Sequence, residues 1–459
     1  MPTQQSEEIR EAPPVGPSKY KHIGKVLYAG FFYLLIQSSY NPAQNLVSSL
    51  FNQKGYSGLG QLTLFTNWTL FGLANLLTSH VKRYFRYGTG MFLGNMGYAV
   101  FYVGAFYLTS CETEDGLCSP TLIYIANILG SCLCGLVTPL AFVSISSFVD
   151  SCSQTHNKGF YYGIMTGSMF SSQLTGNLAA AYVLGDFSPA IFFLICFIVT
   201  VVAASALLFL PSISPNPQAS ERKVQSEKIK TEPVVFVDED ESAQETSSQT
   251  SETVAVASSL RGSWREYGRL MLDSRMQRLV FSFANTGVII SLYSGFFYTV
   301  ITKSIDSQDE ATINKYTAYV FVVLGAFECI AGLGVGKVSD MMNKVNALKY
   351  SGLVVELSYV VTFIAYYREE YYLCLIAGAF WGFSDCMTQT LHLTLIGTEF
   401  NGQLEAFGLY YLFQGTVGAV GYLVELFTSS LKGEYYLFIM LAWQIFVHWR
   451  LLGLKSTRT

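Results

Sequence analysis

The chain has 459 residues, of which 51% are hydrophobic, 15% aromatic and only 13% charged, with a formal net charge of −4. A soluble globular chain carries about 25% charged residues, so this composition excludes an ordinary soluble domain. The acidic balance, with no basic stripe and no binding motif, also excludes a nucleic-acid partner as an expectation.

The first stretch, 1–22, holds Glu7, Glu8 and Glu11 among prolines and has no apolar core. It reads as an N-terminal tail, not as a cleaved signal peptide or an acid-poor presequence. Runs of about 20 apolar residues, long enough to cross ~30 Å of hydrocarbon, then recur through the chain. They fall near 25–50, 60–80, 88–109, 120–149, 158–183 and 188–211, then near 276–301, 314–336, 346–367, 371–398, 404–427 and 435–452. Within lipid every backbone group must be paired internally, so these runs are expected as about twelve helices. Asn67-Trp68-Thr69 has the form of a glycosylation sequon but sits inside the second run, where it is expected to be unused.

The two sets of six are separated by a polar insert. Over Pro211–Leu260 four basic residues stand against nine acidic ones, leaving −5, and Ser, Thr and Gln fill the second half. Such a segment buries too little apolar surface to order itself. The expected organisation is therefore a tail (1–22), a six-helix bundle (23–211), a linker (212–262), a second six-helix bundle (263–452) and a short tail (453–459).

Basic residues set the expected orientation. Lys82, Arg83 and Arg86, then Arg261, Arg265, Arg269, Arg275 and Arg278, then Lys337, Lys344 and Lys349, and finally Arg450, Lys455 and Arg458, all fall on one side. The opposite side offers Lys54, Lys303, Arg368 and Lys432. Both termini and the linker are therefore expected in the cytoplasm, in either the plasma membrane or an endomembrane. This places the acidic loop between Cys111 and Cys118 on the far side, where a disulfide between them is expected if the compartment is oxidising. The other cysteines lie mostly in apolar runs and read as small buried side chains, not as metal ligands.

The most unusual run is Gly378–Gly397, which carries Asp385, Thr388, Gln389 and His392 near its middle. Helical spacing brings these onto one face. A carboxylate at bilayer depth is costly unless it faces protein or water. The face must therefore turn inward, where Asp385, together with Glu328 in the eighth run, is expected to carry a proton or a cation. Glu356 meets the same test of depth but has less support. Both acids can equally be read as interhelical clamps. The amides Asn45, Asn67, Asn75, Asn95, Asn127, Asn177 and Asn285, with Gln37, Gln173, Gln389 and Gln414, act as glue between helices, worth about 0.6 kcal/mol each. Gly163, Gly167 and Gly176 read as close-packing positions. No phosphate loop, nucleophile–histidine pair or metal cluster is present, so neither an enzyme nor a cofactor is expected.

Six spans, a cytoplasmic linker and six spans resemble the major facilitator superfamily, in which two halves rock about a central cavity. Gly336-Lys337-Val338-Ser339-Asp340 is similar to that superfamily's short cytoplasmic-loop signature, which implies a conformational lock at Gly336 and Asp340. Five ordered blocks further resemble its UNC-93-like branch. They are Asn45–Leu50 with Gly58–Gly60; Gly163 through Ser171–Leu178; Gly325–Glu328 with Gly332 and Gly336; Gly382–Asp385 with Thr388 and Gln389; and Ala406, Phe407 and Gln414. Span four departs from the branch at Thr138–Ala141, where Pro139 should kink the helix.

The resemblance implies one of two roles. The first is a secondary, ion-coupled transporter of an unidentified small solute, its pathway lined by Asn45, Gln173, Asn177, Glu328, Asp385, Thr388 and Gln389. The second is a non-transporting subunit that regulates or escorts another membrane protein, such as a potassium channel or a receptor. Expected partners are accordingly the lipid bilayer, a small solute or ion, and in the second case that membrane protein.

Overall fold

The computed structural model describes residues 22–111, 116–211, 213, 262–307, 309–427 and 433–454. The expected tails and linker lie almost wholly outside these residues. Among the described residues the secondary structure is helical throughout, with no strand. The first set comprises α1 (Ile23–Gln53), α2 (Leu59–Lys82), α3 (Tyr87–Ser110), α4 (Pro120–Cys152), α5 (Lys158–Asp186) and α6 (Pro189–Leu207). A short helix, α7 (262–272), precedes the second set. That set comprises α8, running from Ser274 to Lys303 through a π-helical turn at Leu292–Phe296, then α9 (Glu310–Met341), α10 (Lys344–Arg368), α11 (Tyr371–Glu399), α12 (Leu404–Phe427) and α13 (Gly433–Leu452).

Local chemistry sets these boundaries. Pro120 and Pro189 open α4 and α6, where a missing N–H costs nothing. Asp273, Asp309 and Asn343 cap α8, α9 and α10 by accepting backbone N–H groups of the first turn. Pro139 lies inside α4, and Pro42 lies inside α1.

Eight of the twelve long helices are apolar enough to cross a membrane on composition alone. The four that fall short are α1, α2, α5 and α11, which turn Gln, Asn, Thr and Asp side chains inward. Their low hydropathy is thus the mark of an interior polar seam. Large exposed apolar side chains such as Leu129, Val202, Leu353 and Ile439 cover the outer faces, as lipid contact requires.

The chain alternates between two ends of the bundle. One carries the 82–87, 152–158 and 341–344 connections and the start of α7 (the linker end), and the other carries Cys111 and Cys118 (the disulfide end). The Cys111 and Cys118 sulfurs are bonded, with their Cα atoms 5.6 Å apart.

The two six-helix bundles meet along two seams. In the first, α5 lies on α9 with glycine facing glycine. A Cβ on Gly163 would lie 2.4 Å from the Gly332 carbonyl oxygen and 2.8 Å from the Gly336 Cα, so no larger residue fits there. In the second, α2 lies on α12, and Gly72 meets the backbone of Gly415 and Thr416. Small residues let helix backbones approach closely where lipid supplies no hydrophobic drive.

Candidate functional site

Between the seams lies a cavity of about 70 Å³, measured as the volume open to the centre of a water molecule. About 10–15 Å³ of such volume holds one water, so it has room for a few waters or a small solute. The first bundle contributes Gln37, Tyr40, Asn41 and Gln44 from α1, Asn67, Trp68 and Phe71 from α2, Tyr98, Thr138 and Phe142 from α3 and α4, and Met169 and Phe170 from α5. The second contributes Ile290 and Tyr293 from α8, Gln389 from α11 and Gln414 from α12. A smaller chamber of about 20 Å³ lies toward the linker end and shares Phe142, Met169, Phe170 and Gln389 with the first. Among the described residues no charged side chain lines either chamber.

Asp385 sits directly behind this wall, with 0% of its surface exposed. Its Oδ1 accepts from Gln389 Nε2 at 2.9 Å and its Oδ2 from the Tyr293 hydroxyl at 3.3 Å, and both donors line the cavity. The Gln389 Oε1 in turn accepts from the Tyr410 hydroxyl (3.1 Å) and from Gln414 Nε2 (3.2 Å). Gln389 thus connects the buried carboxylate to the cavity. Glu328, also 0% exposed, lies within electrostatic reach of Asp385 and Tyr293, and among the described residues neither of its carboxylate oxygens has a hydrogen-bond partner.

The remaining expected pathway residues are placed differently. Asn45 and Asn177 both donate to Gln173 Oε1, at 3.0 and 2.9 Å, which makes a clamp between α1 and α5 off the cavity. The α9 backbone at Gly325 closes over it. The Thr388 hydroxyl is buried without a partner, and His392 turns to α8, where Nε2 meets the Ser282 hydroxyl at 2.7 Å. The polar face of α11 therefore splits into one part on the cavity and another in helix packing. Glu356 bonds to His448 Nδ1 at 2.8 Å, tying α10 to α13 away from the centre. Asn67, buried and donating to the Tyr40 hydroxyl at 2.8 Å, lines the cavity.

The sequence reading did not single out Asn41, Gln44, Tyr40, Trp68 and Tyr293 on the wall, nor Glu425. The Glu425 carboxylate accepts the Phe296 N–H at 3.1 Å, beside the π turn of α8. A Cβ at Gly295 would lie 1.7 Å from that carboxylate, so the glycine leaves room for the Glu425 side chain beside the turn. Glu425 is an acid inside an apolar run, the same signal that drew attention to Glu328.

Both ends of the cavity are bounded by contacts between the bundles. At the linker end Asp340 accepts the backbone N–H groups of Gly159 (2.8 Å) and Phe160 (2.7 Å) at the start of α5. Lys158 pairs with Asp150 and donates to the Gly397 carbonyl across the seam at 2.7 Å, while Arg83 pairs with Glu405. The Ser146 and Tyr411 hydroxyls meet at 2.7 Å, and those of Thr166 and Thr390 at 2.6 Å. At the disulfide end the Tyr298 hydroxyl donates to Ser49 (3.1 Å) and Gln44 donates to Tyr422 (3.2 Å).

The profile of the major facilitator superfamily matches residues 26–422. The chain belongs to the major facilitator superfamily. It is an integral, multi-pass membrane protein with that superfamily's fold. Among solved structures it is similar to the proton:xylose symporter XylE bound to 6-bromo-6-deoxy-D-glucose, at 12% identity and a TM-score of 0.66, over 96% of this chain and 97% of that one. At that identity the likeness shows the fold alone. A search of curated proteins found no match.

Proposed function

We propose that this major facilitator protein is a secondary transporter that moves a small solute by alternating access. Bundles 23–211 and 263–452 rock about the two seams, tethered by the 212–262 linker, with both termini and the linker end in the cytoplasm. The observation that carries the reading is the central cavity between the bundles, walled by aromatic and amide side chains of both and bounded at either end by contacts that can break separately. A subunit that only escorts a partner needs no such chamber.

Asp385 and Glu328 are the proposed ion-coupling pair, with Gln389 reporting their state to the cavity. XylE, a proton:xylose symporter, runs an ion-coupled cycle on the same fold. Asp340 and Gly336 are the proposed lock, since a carboxylate at the positive end of α5 is stabilised there by the helix dipole. An UNC-93-like placement is supported by where the five blocks fall. The second and third supply the glycines of the α5–α9 seam, and the fourth and fifth supply Asp385, Gln389 and Gln414.

Engineered cross-links test the reading without knowledge of the solute. A Ser49→Cys/Tyr298→Cys link closes the disulfide end, and a Tyr411→Cys reporter should then react readily from the linker side. A Thr166→Cys/Thr390→Cys link should abolish that reaction. Equal reactivity in both states would mean that the bundles do not rock. In reconstituted vesicles Asp385→Asn should abolish solute-driven pH change, and an unchanged signal would remove Asp385 from the coupling.

A further inference from the structure

Five side-chain amides on the cavity wall are oriented the same way. Their nitrogens are engaged with protein: Gln37 donates to Tyr98 (3.4 Å), Asn41 to Ser172 (2.7 Å), Gln44 to Tyr422 (3.2 Å), Asn67 to Tyr40 (2.8 Å) and Gln414 to Gln389 (3.2 Å). Among the described residues none of their five carbonyl oxygens accepts a hydrogen bond; that of Asn67 is closed off from the cavity, which leaves those of Gln37, Asn41, Gln44 and Gln414 accessible from it. An accessible amide oxygen with no protein donor has its acceptor capacity free for a ligand. A wall of carbonyl oxygens recognises a molecule that donates.

Charge and shape narrow the class further. The wall contains no Lys, Arg or His, and the carboxylate of Asp385 lies one side chain behind it, with Glu328 beyond. The rings of Trp68, Tyr40, Tyr98 and Tyr293 supply π faces. Aromatic faces and amide oxygens in a low-dielectric space attract an organic cation, and the attraction strengthens as water is excluded. An anion would find the Tyr40 and Tyr98 hydroxyls as donors but no cationic side chain among the described residues of the wall, with the acidic side chain of Asp385 close behind it. A neutral polyol would leave that acidic side chain without a role.

We propose that the central cavity binds a small organic ammonium ion that carries N–H donors, that is, a protonated primary or secondary amine. This rests on the reading of the cavity as the solute site, and it assigns that solute's chemical class.

Titrations of the full chain in lipid nanodiscs test it, with butylammonium, butyltrimethylammonium and erythritol as probes, read by thermal midpoint and calorimetry. Butylammonium should raise the midpoint and bind at least about tenfold more tightly than its quaternary analogue, because only the former donates charge-assisted hydrogen bonds to the carbonyl oxygens. Erythritol should leave the midpoint unchanged. Gln44→Leu and Gln37→Leu should each weaken butylammonium about tenfold. Where either variant fails to fold, Gln44→Glu serves instead: it keeps an acceptor, adds a negative charge, and should tighten butylammonium binding severalfold.

Equal affinity for the primary and quaternary ions, or stabilisation by erythritol alone, would overturn the assignment. The cross-linking experiment separates this from the transport reading. Butylammonium binding to a protein whose bundles do not alternate keeps the ligand class and removes transport. Alternation without butylammonium binding does the reverse.

Discussion

At the linker end the two bundles share one apolar core. Buried side chains of α1–α6 continue without a break into Tyr267, Met276, Phe283, Leu391, Ile396 and Phe407 of the second bundle. At the disulfide end the second bundle keeps a core of its own, running through Leu292, Phe297, Phe321, Tyr359 and Trp381. The polar contacts follow the same division. Three carboxylates, Asp340, Asp150 and Glu405, take part in closing the linker end, while neutral hydroxyl and amide bonds bridge the disulfide end. Charge-assisted bonds are roughly twice as strong as neutral ones. The comparison teaches that the conformation described here is held mainly from the linker side, and that the disulfide end is the cheaper one to open.

The largest effect should come from spoiling the close approach that lets the linker-end core be shared. Gly163→Val forces a side chain into the Gly332 carbonyl, an overpacking expected to cost about 3 kcal/mol or more. The thermal midpoint in nanodiscs should fall, and the Thr166→Cys/Thr390→Cys link should no longer form. Gly185→Val, with nothing within 4 Å of its Cβ, is the control and should change neither. Equal losses in both variants would show that the seam is not what sets the bundle spacing.

Next in size is Asp340→Ala. It removes the two hydrogen bonds that the Gly159 and Phe160 N–H groups, at the start of α5, donate to the Asp340 carboxyl group, a loss of about 2–3 kcal/mol. Labelling of a Tyr411→Cys reporter from the linker side should rise tenfold or more, and Asp340→Asn should fall between the two. Tyr298→Phe removes one neutral bond at the opposite end and should cost about 1 kcal/mol or less. Its effect should also have the opposite sense, with labelling rising at a Ser294→Cys reporter, buried beside Tyr422 toward the disulfide end. A larger effect from Tyr298→Phe than from Asp340→Ala would reverse the comparison.

The difference between the ends also explains what could be read from the amino-acid order. The twelve runs were legible because hydrocarbon imposes one length and one composition on anything that crosses it, and each observed helix lies within a few residues of its run. Asp385 and Glu328 were legible as interior groups because a carboxylate at that depth has no other place to go. Which glycine faces which is a property of pairs of helices far apart in sequence, and hydropathy is silent on it. For that reason Gly163 could be recognised as a packing position while its partner, Gly332, could not. Much of the cavity wall was missed for a related reason, although Gln37, Asn67, Gln389 and Gln414 had been singled out. Gln44 and Asn45 are adjacent polar residues on α1, yet a helix turns about 100° between them, so one faces the cavity and the other the α5 clamp. Only the placement of the neighbouring helices decides which is which.

The smallest expected effect tests whether the linker end is also the end that responds to acid. Asp273 caps α8 through the Arg275 N–H at 2.8 Å and pairs with the Arg275 guanidinium, which reaches on to Glu399 at the end of α11. The hydrogen bond from the Arg275 side chain holds the Asp273 carboxyl below the usual carboxylate range. A depressed value in the folded chain means stability that is present in full above the ordinary carboxylate pKa and lost as pH falls through the lowered one. The group is largely solvated, so its share is well under about 1 kcal/mol. Asp273→Asn keeps an acceptor for the cap and removes only the charge. The variant should therefore melt slightly below the parent at neutral pH and coincide with it in strong acid. A gap that stays constant across that range would assign the effect to the cap alone and leave the ion pair without a measurable part in stability at the linker end.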